Sequence, residues 1–154
     1  MNETRAYTGA TDLRSGPRPG TVRFVEYLRF LHGGDCLGIY ANRTIRGSTK
    51  RSVHQTGRAF DYRAPTREIR YDVLELLDFH FREALEAIHD YENTYVPGPG
   101  FGAAWRCDRN TWKVYTSPTI KAAGATQPWI HAELVPAYAD EPALVDQLFR
   151  KVFK

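Results

Sequence analysis

This sequence predicts an α+β fold: a small, mainly antiparallel sheet flanked by helices. Three observations carry that expectation. Apolar residues recur at helical spacing in three segments: 22–31, 67–86 and the last dozen residues. Between them, Ala59–Arg63 and Trp129–Leu134 alternate apolar and polar as strands do. The 154 residues, 42% hydrophobic and 25% charged, have the size and composition of one domain with its own core.

Taken in order, residues 1–20 are rich in Gly, Pro, Thr and Arg and read as a flexible N-terminal arm. Residues 21–154 form the domain. Thr21 is placed to cap a helix over residues 22–31, which Gly33-Gly34 ends. Residues 37–46 read as a strand, and residues 47–51 as a polar loop delivering Ser52 and His54. In the next strand Ala59, Asp61 and Arg63 share one face, and Phe60 and Tyr62 the other. Pro65 breaks it, and Thr66 caps a helix over residues 67–86. His80 lies on the apolar stripe of that helix and reads as a core or core-edge residue. Residues 87–95 return as a strand carrying His89. Residues 97–102 are a loop, followed by aromatic segments around Trp105 and around Trp112–Tyr115. Residues 117–127 form a small-residue loop bordering the cleft. Asp140-Glu141-Pro142 opens the final helix with Asp140 as cap.

The chemistry sits in two places. Residues 52–61, SVHQTGRAFD, read S-x-H-x-x-G-x-A-x-D, with an imidazole and a carboxylate seven residues apart across a glycine turn. Gly57 permits the positive φ that a tight reversal after His54 needs. On the later strand Trp129, His131 and Glu133 share one face, and Ile130, Ala132 and Leu134 the other. His54, Asp61 and His131 are the residue types of an open catalytic zinc site, which keeps three protein ligands and a fourth position for water. Such an ion acidifies water near neutral pH. Attack on a carbonyl also needs positive charge where the oxyanion forms.

Together these motifs resemble the zinc peptidases that cut bacterial cell-wall peptides. That group includes D-Ala-D-Ala carboxypeptidases and dipeptidases, phage endolysins cutting L-Ala-D-Glu bonds, and the fold-related Hedgehog domain. The match to S-x-H-x-x-G-x-A-x-D is complete, and the order of elements agrees over roughly Leu37 to Pro136. The resemblance implies a Hedgehog/D,D-peptidase-like fold, one Zn2+ per chain on His54, Asp61 and His131, and hydrolysis of peptidoglycan stem peptides. Relatives carry an acid three positions before the final His, or a His two before it; here Pro128 and Trp129 stand there. Glu133 is the nearest replacement as general base, or it orients a ligand or a substrate amide. The His-Ala-Glu ending is similar to the His-Ile-Glu of some actinobacterial phage relatives. Arg43, after Tyr40-Ala41-Asn42, is similar to the family's oxyanion arginine, with Arg46 as the fallback. The likeness also places Ser52, Tyr115 and Trp129 at the substrate, with Trp105 and Trp112 either lining the groove or packing in the core. Ser52 reads as orienting the His54 loop rather than as a nucleophile, since no Ser-His-acid constellation accompanies it. The alternative is a non-catalytic zinc-binding or structural phage module that keeps the peptidase fold.

Charge argues against nucleic acid as a partner. The net +3 is mild, and the Arg residues are scattered among acids rather than gathered in a stripe. It suits adsorption to an anionic cell wall. No apolar run approaches the ~18 residues of a membrane span. The opening residues lack a signal segment, so the expectation is a monomer made in the cytoplasm that acts at the cell wall after release. Cys36 and Cys107 are too few for a disulfide scaffold and read as reduced thiols or a single bridge.

Overall fold

Local chemistry sets where each helix begins and ends. The computed structural model describes residues 3–45, 48–91, 95–116 and 129–153. Helix α1 (Pro19–His32) begins two residues before Thr21, because Pro19 at its first turn lacks only an N–H that would have had no partner. Arg18 is its N-cap residue, and Thr21 is buried within the first turn. Gly33, at φ 74°, ends it, its N–H donating a hydrogen bond to the Arg29 carbonyl. Strand β1 (Asp35–Gly38) is shorter than the predicted 37–46, and its register shifts between Cys36 and Gly38. Beyond it the chain leaves the sheet, and the Ile39 carbonyl turns to His54. The fallback Arg46 lies outside the described residues.

Strand β2 is Ala59–Arg63, and helix α2 is Arg67–His80, whose Ile69 amide donates to the Thr66 hydroxyl at 3.1 Å. The helix stops at His80 rather than 86. Arg82–Ala84 make one 3-10 turn, and strand β3 starts at Leu85 and ends at Asp90. Phe81, Ala84 and Leu85 stay buried either way, so the apolar pattern reads through the break. His80, the last helical residue, is exposed rather than in the core. Strands β4 (Ala103–Arg106), β5 (Thr111–Val114) and β6 (Trp129–Leu134) follow, then α3 (Pro136–Asp140) and α4 (Pro142–Val152). Asp140 does not cap α4; it closes α3 and pairs with the buried Arg18 at 3.2 Å. The predicted loop 117–127 lies outside the described residues.

The result is α+β: a six-stranded antiparallel sheet in the order β1-β2-β6-β3-β4-β5, with four α-helices among the described residues. Phe60, Tyr62, Ile88, Trp105, Ile130 and Leu134 on one face join Phe24, Leu28, Leu77 and Phe149 of the helices in a single core. Trp105 sits opposite Trp112 across β4 and β5. The Trp105 indole donates to Asn110 and the Trp112 indole to Asp78 of α2, so both serve packing rather than the groove.

Residues 3–18 form no helix or strand, as an extended arm should, but they are bonded onto the domain. Arg5 donates to the carbonyls of Arg82 (2.6 Å) and Leu85 (2.7 Å). Arg58, fully buried, donates to Thr8 Oγ1 (2.7 Å), to the Gly9 carbonyl, to Glu86 (3.1 Å) and to the Leu134 carbonyl (2.8 Å). These bonds tie the described part of the arm to β2, β3 and β6. Cys36 and Cys107 are free thiols. Among the described residues no helix is long and apolar enough to cross a membrane.

Candidate metal centre

The face of the sheet opposite the helical core carries the motif residues. The first motif folds as a 3-10 turn, Val53–Thr56, in which the Ser52 hydroxyl accepts from the His54 amide at 3.2 Å. Gly57 closes the turn at φ 72°, and a Cβ there would lie 2.4 Å from the Gly16 carbonyl oxygen. Glycine is thus required twice over, by conformation and by the close passage of the arm. His131 and Asp61 are direct cross-strand partners on β6 and β2.

Asp61 stands between the two imidazoles. Its Oδ2 lies 3.2 Å from His54 Nε2, and its Oδ1 lies 2.9 Å from His131 Nδ1. The other nitrogen of each ring is tied off. His54 Nδ1 is 2.9 Å from the Ile39 carbonyl, which can only accept, so that nitrogen carries the proton. His131 Nε2 is 3.1 Å from Glu133 Oε1, and Tyr7 donates to Glu133 Oε2 at 2.7 Å. Each histidine therefore turns one nitrogen to a common point beside Asp61 and anchors the other on an oxygen acceptor. That is how histidine ligands to metals are usually oriented. Donor atoms of His54, Asp61 and His131 all lie within 4.8 Å of one another. Both histidines are buried while the Asp61 side chain is 22% exposed, so the set opens toward the cleft. Two imidazole nitrogens, one carboxylate oxygen and an open side are donors that could hold a metal ion.

A second group, His89, His131 and Glu133, also falls within 4.8 Å and is buried throughout. It shares His131 with the first group. The Glu133–His131 bond lies inside this group, and the first group has the better access.

Charges are strongly coupled. Burial raises the Asp61 carboxyl, but hydrogen bonds and charge from His131 and His54 outweigh it and hold the group well below its ordinary range. Burial raises Glu133 too, and His131, His89 and Tyr7 together bring it down to about 2. Burial alone would lower His131; Asp61 and Glu133 reverse that and raise it. The Tyr7 hydroxyl is pushed up by burial and by Glu133, so it stays protonated and donating.

The site floors a cleft of about 800 Å³. Ser52, Tyr115, Trp129 and Arg43 all line it together with the three ligand candidates and Glu133. Ser52 faces its own turn and is 5% exposed. Several lining residues were not legible from the motifs, among them Tyr7 from the arm, His89 and Tyr91 from β3 and just beyond it, and Arg106, Arg109 and Lys113 from β4 and β5 and the turn between them. The His89 ring lies 5.1 Å from that of His131, its cross-strand partner. Strand parity is the one signal that finds His89 and Tyr91, since both share a face with Ala87 once β3 is placed. No pattern announces Tyr7, whose neighbours form neither helix nor strand.

The sequence matches no protein-family model, no curated protein and no solved structure.

Proposed function

We propose that this protein is a zinc-dependent peptidase of the Hedgehog/D,D-peptidase type that hydrolyses a peptide bond in peptidoglycan stem peptides. One observation carries the reading: two imidazoles anchored at their far nitrogens by Ile39 and Glu133, with the near nitrogens both at Asp61 in an open cleft. His54, Asp61 and His131 hold the ion. Zinc supplies Lewis-acid polarisation of a carbonyl and acidification of water. Glu133 fixes the tautomer of His131 and keeps Nδ1 turned to the ligand position. That placement favours the orienting role over general base, because Glu133 meets the nitrogen of His131 that faces away from Asp61. His89, a further imidazole on the cleft wall 5.1 Å from the His131 ring, is the candidate proton acceptor for an attacking water. Arg43 on the cleft wall offers positive charge to a developing oxyanion. Trp129 and Tyr115 present aromatic surface to substrate, and Ser52 steadies the His54 turn. On this reading the enzyme is made in the cytoplasm and reaches the wall on release, as a phage endolysin does.

The test begins with metal content by mass spectrometry on protein purified without added metal, beside His54→Ala. About one zinc per chain, lost in the variant, followed by release of stem-peptide fragments from purified peptidoglycan, supports the reading. No zinc on purification and none on titration removes it. A second reading is favoured by the position of Glu133, which leaves no acid in the general-base position of the relatives: a zinc-binding or structural phage module without turnover. Stoichiometric zinc with every peptidoglycan chemotype left intact selects that one.

A further inference from the structure

The cleft is far more basic than the chain. Among the described residues it is lined by six Arg and Lys side chains against two carboxylates, Asp61 and Glu133, an excess of four where the whole protein has a net +3. Both carboxylates are already bound to histidines. The cations stand at opposite ends. Arg43, Lys50 and Arg51 come from the loop before Ser52, and Arg106, Arg109 and Lys113 from the β4–β5 hairpin. Arg106 is held by Asp108, while Arg109 donates to the carbonyls of Thr111 and Ala104. Neither Arg109 nor Lys113 has an acidic side chain within ion-pair distance among the described residues.

Register places Lys113 relative to the metal centre. Asp61, His131, His89, Ala104 and Lys113 are opposite one another in successive strand pairs, so they form one straight row on the cleft face. Ala104 contributes only a methyl, which leaves the floor low between His89 and Lys113. Three strand spacings separate His131 from Lys113, about 14 Å at about 4.8 Å each. An extended peptide lying across the sheet covers that in about four residues, and the lysine stem shortens it to about two or three.

We propose that the hairpin end of this cleft is a subsite for an anionic peptide, with Lys113 and Arg109 receiving a carboxylate two to three residues from the reacting bond. The inference rests on the peptidase reading for where that bond lies. A cleft of this volume holds a short peptide rather than a polymer duplex.

Calorimetric binding tests it without turnover, on metal-free and zinc-loaded protein alike. The probes are L-Ala-γ-D-Glu-L-Lys-D-Ala-D-Ala and the same peptide with the glutamate α-carboxylate amidated. The acid form is expected to bind about five- to tenfold tighter at low salt, with the ratio falling toward one at about 1 M salt. Lys113→Gln is expected to lose most of the ratio, while Lys113→Arg and the remote Lys151→Gln keep it. Equal binding of the two peptides, or an intact ratio in Lys113→Gln, overturns the proposal. A charge-dependent ratio without hydrolysis upholds the subsite and sinks the peptidase reading instead.

Discussion

Replacing Glu133 by Gln separates orientation from proton transfer. Glu133 is 2% exposed and receives two hydrogen bonds: His131 Nε2 at 3.1 Å and the Tyr7 hydroxyl at 2.7 Å. A buried bond to a charged acceptor is worth about 1.5–3 kcal/mol, and a neutral one about 0.5–1.5. Glutamine keeps the shape and one acceptor oxygen, so the variant loses roughly the difference, about 1–2 kcal/mol. Its amide also faces Tyr7, whose hydroxyl must rotate to accept. If the lost energy is what holds His131 Nδ1 in the ligand position, zinc affinity falls about 5- to 30-fold. Turnover of the zinc-saturated variant then falls by less than tenfold. The assay is competitive zinc titration against a chromophoric chelator, paired with rates at saturating metal. The opposite pattern, unchanged zinc affinity with turnover reduced by about 10²–10⁴, is the signature of a general base and refutes the orienting role.

Further expectations follow from the same geometry. His89→Gln is expected to retain one zinc per chain and lose about 10²–10⁴ in turnover; loss of zinc instead would move His89 into the ligand set. Arg58→Met leaves Glu86 buried without its cation, so it is expected to destabilise the fold by about 3–5 kcal/mol and lower Tm by about 6–20 °C. Arg58→Met/Glu86→Leu should recover part of that, and no recovery would mean the pair is not the source. Gly57→Ala puts a side chain in the left-handed region at φ 72° and against Gly16, costing about 1–2 kcal/mol before any clash is relieved, with weaker zinc binding as His54 shifts. For the metal-free protein, Glu133 and Asp61 have lowered pKa values, so their stabilisation is present above about 4.5 and is lost as pH falls toward 2. His131 is raised, so its contribution is present below its ordinary value and is lost as pH rises through the higher folded one. Urea midpoints should therefore peak between about pH 4.5 and 6.5 and decline on both sides, and a midpoint that climbs steadily to pH 8 contradicts the coupling.

What could be read in advance divides along physical lines. His54, Asp61 and His131 were legible because their spacing encodes a turn and two strands whose faces follow from a period of two. Glu133 was legible by the same parity, but its role depends on which nitrogen of His131 it meets, and only the side-chain conformation settles that. Trp105 and Trp112 point toward α2 because the sheet parity set by Ala104 and Lys113 assigns them to the other face. The end of α2 was hidden because Phe81, Ala84 and Leu85 are buried under either a helix or a strand. The contacts of the arm were hidden for a different reason. Its composition suits disorder, yet its bonds go mainly to backbone carbonyls and to Glu86 and Glu133, partners that sequence pattern cannot supply.

The position of β6 has a consequence for how the molecule comes to exist. This strand lies between β2 and β3, so it is the seam joining β1–β2 to β3–β4–β5. It is also the last of the described strands in sequence order, and it brings His131 and Glu133 with it. Until it inserts, the sheet is two unconnected halves, one holding His54 and Asp61 and the other holding His89. Assembly of the donor set and closure of the sheet are therefore one event, dependent on contacts distant in sequence. A half-made chain would carry neither a complete ligand set nor a formed cleft.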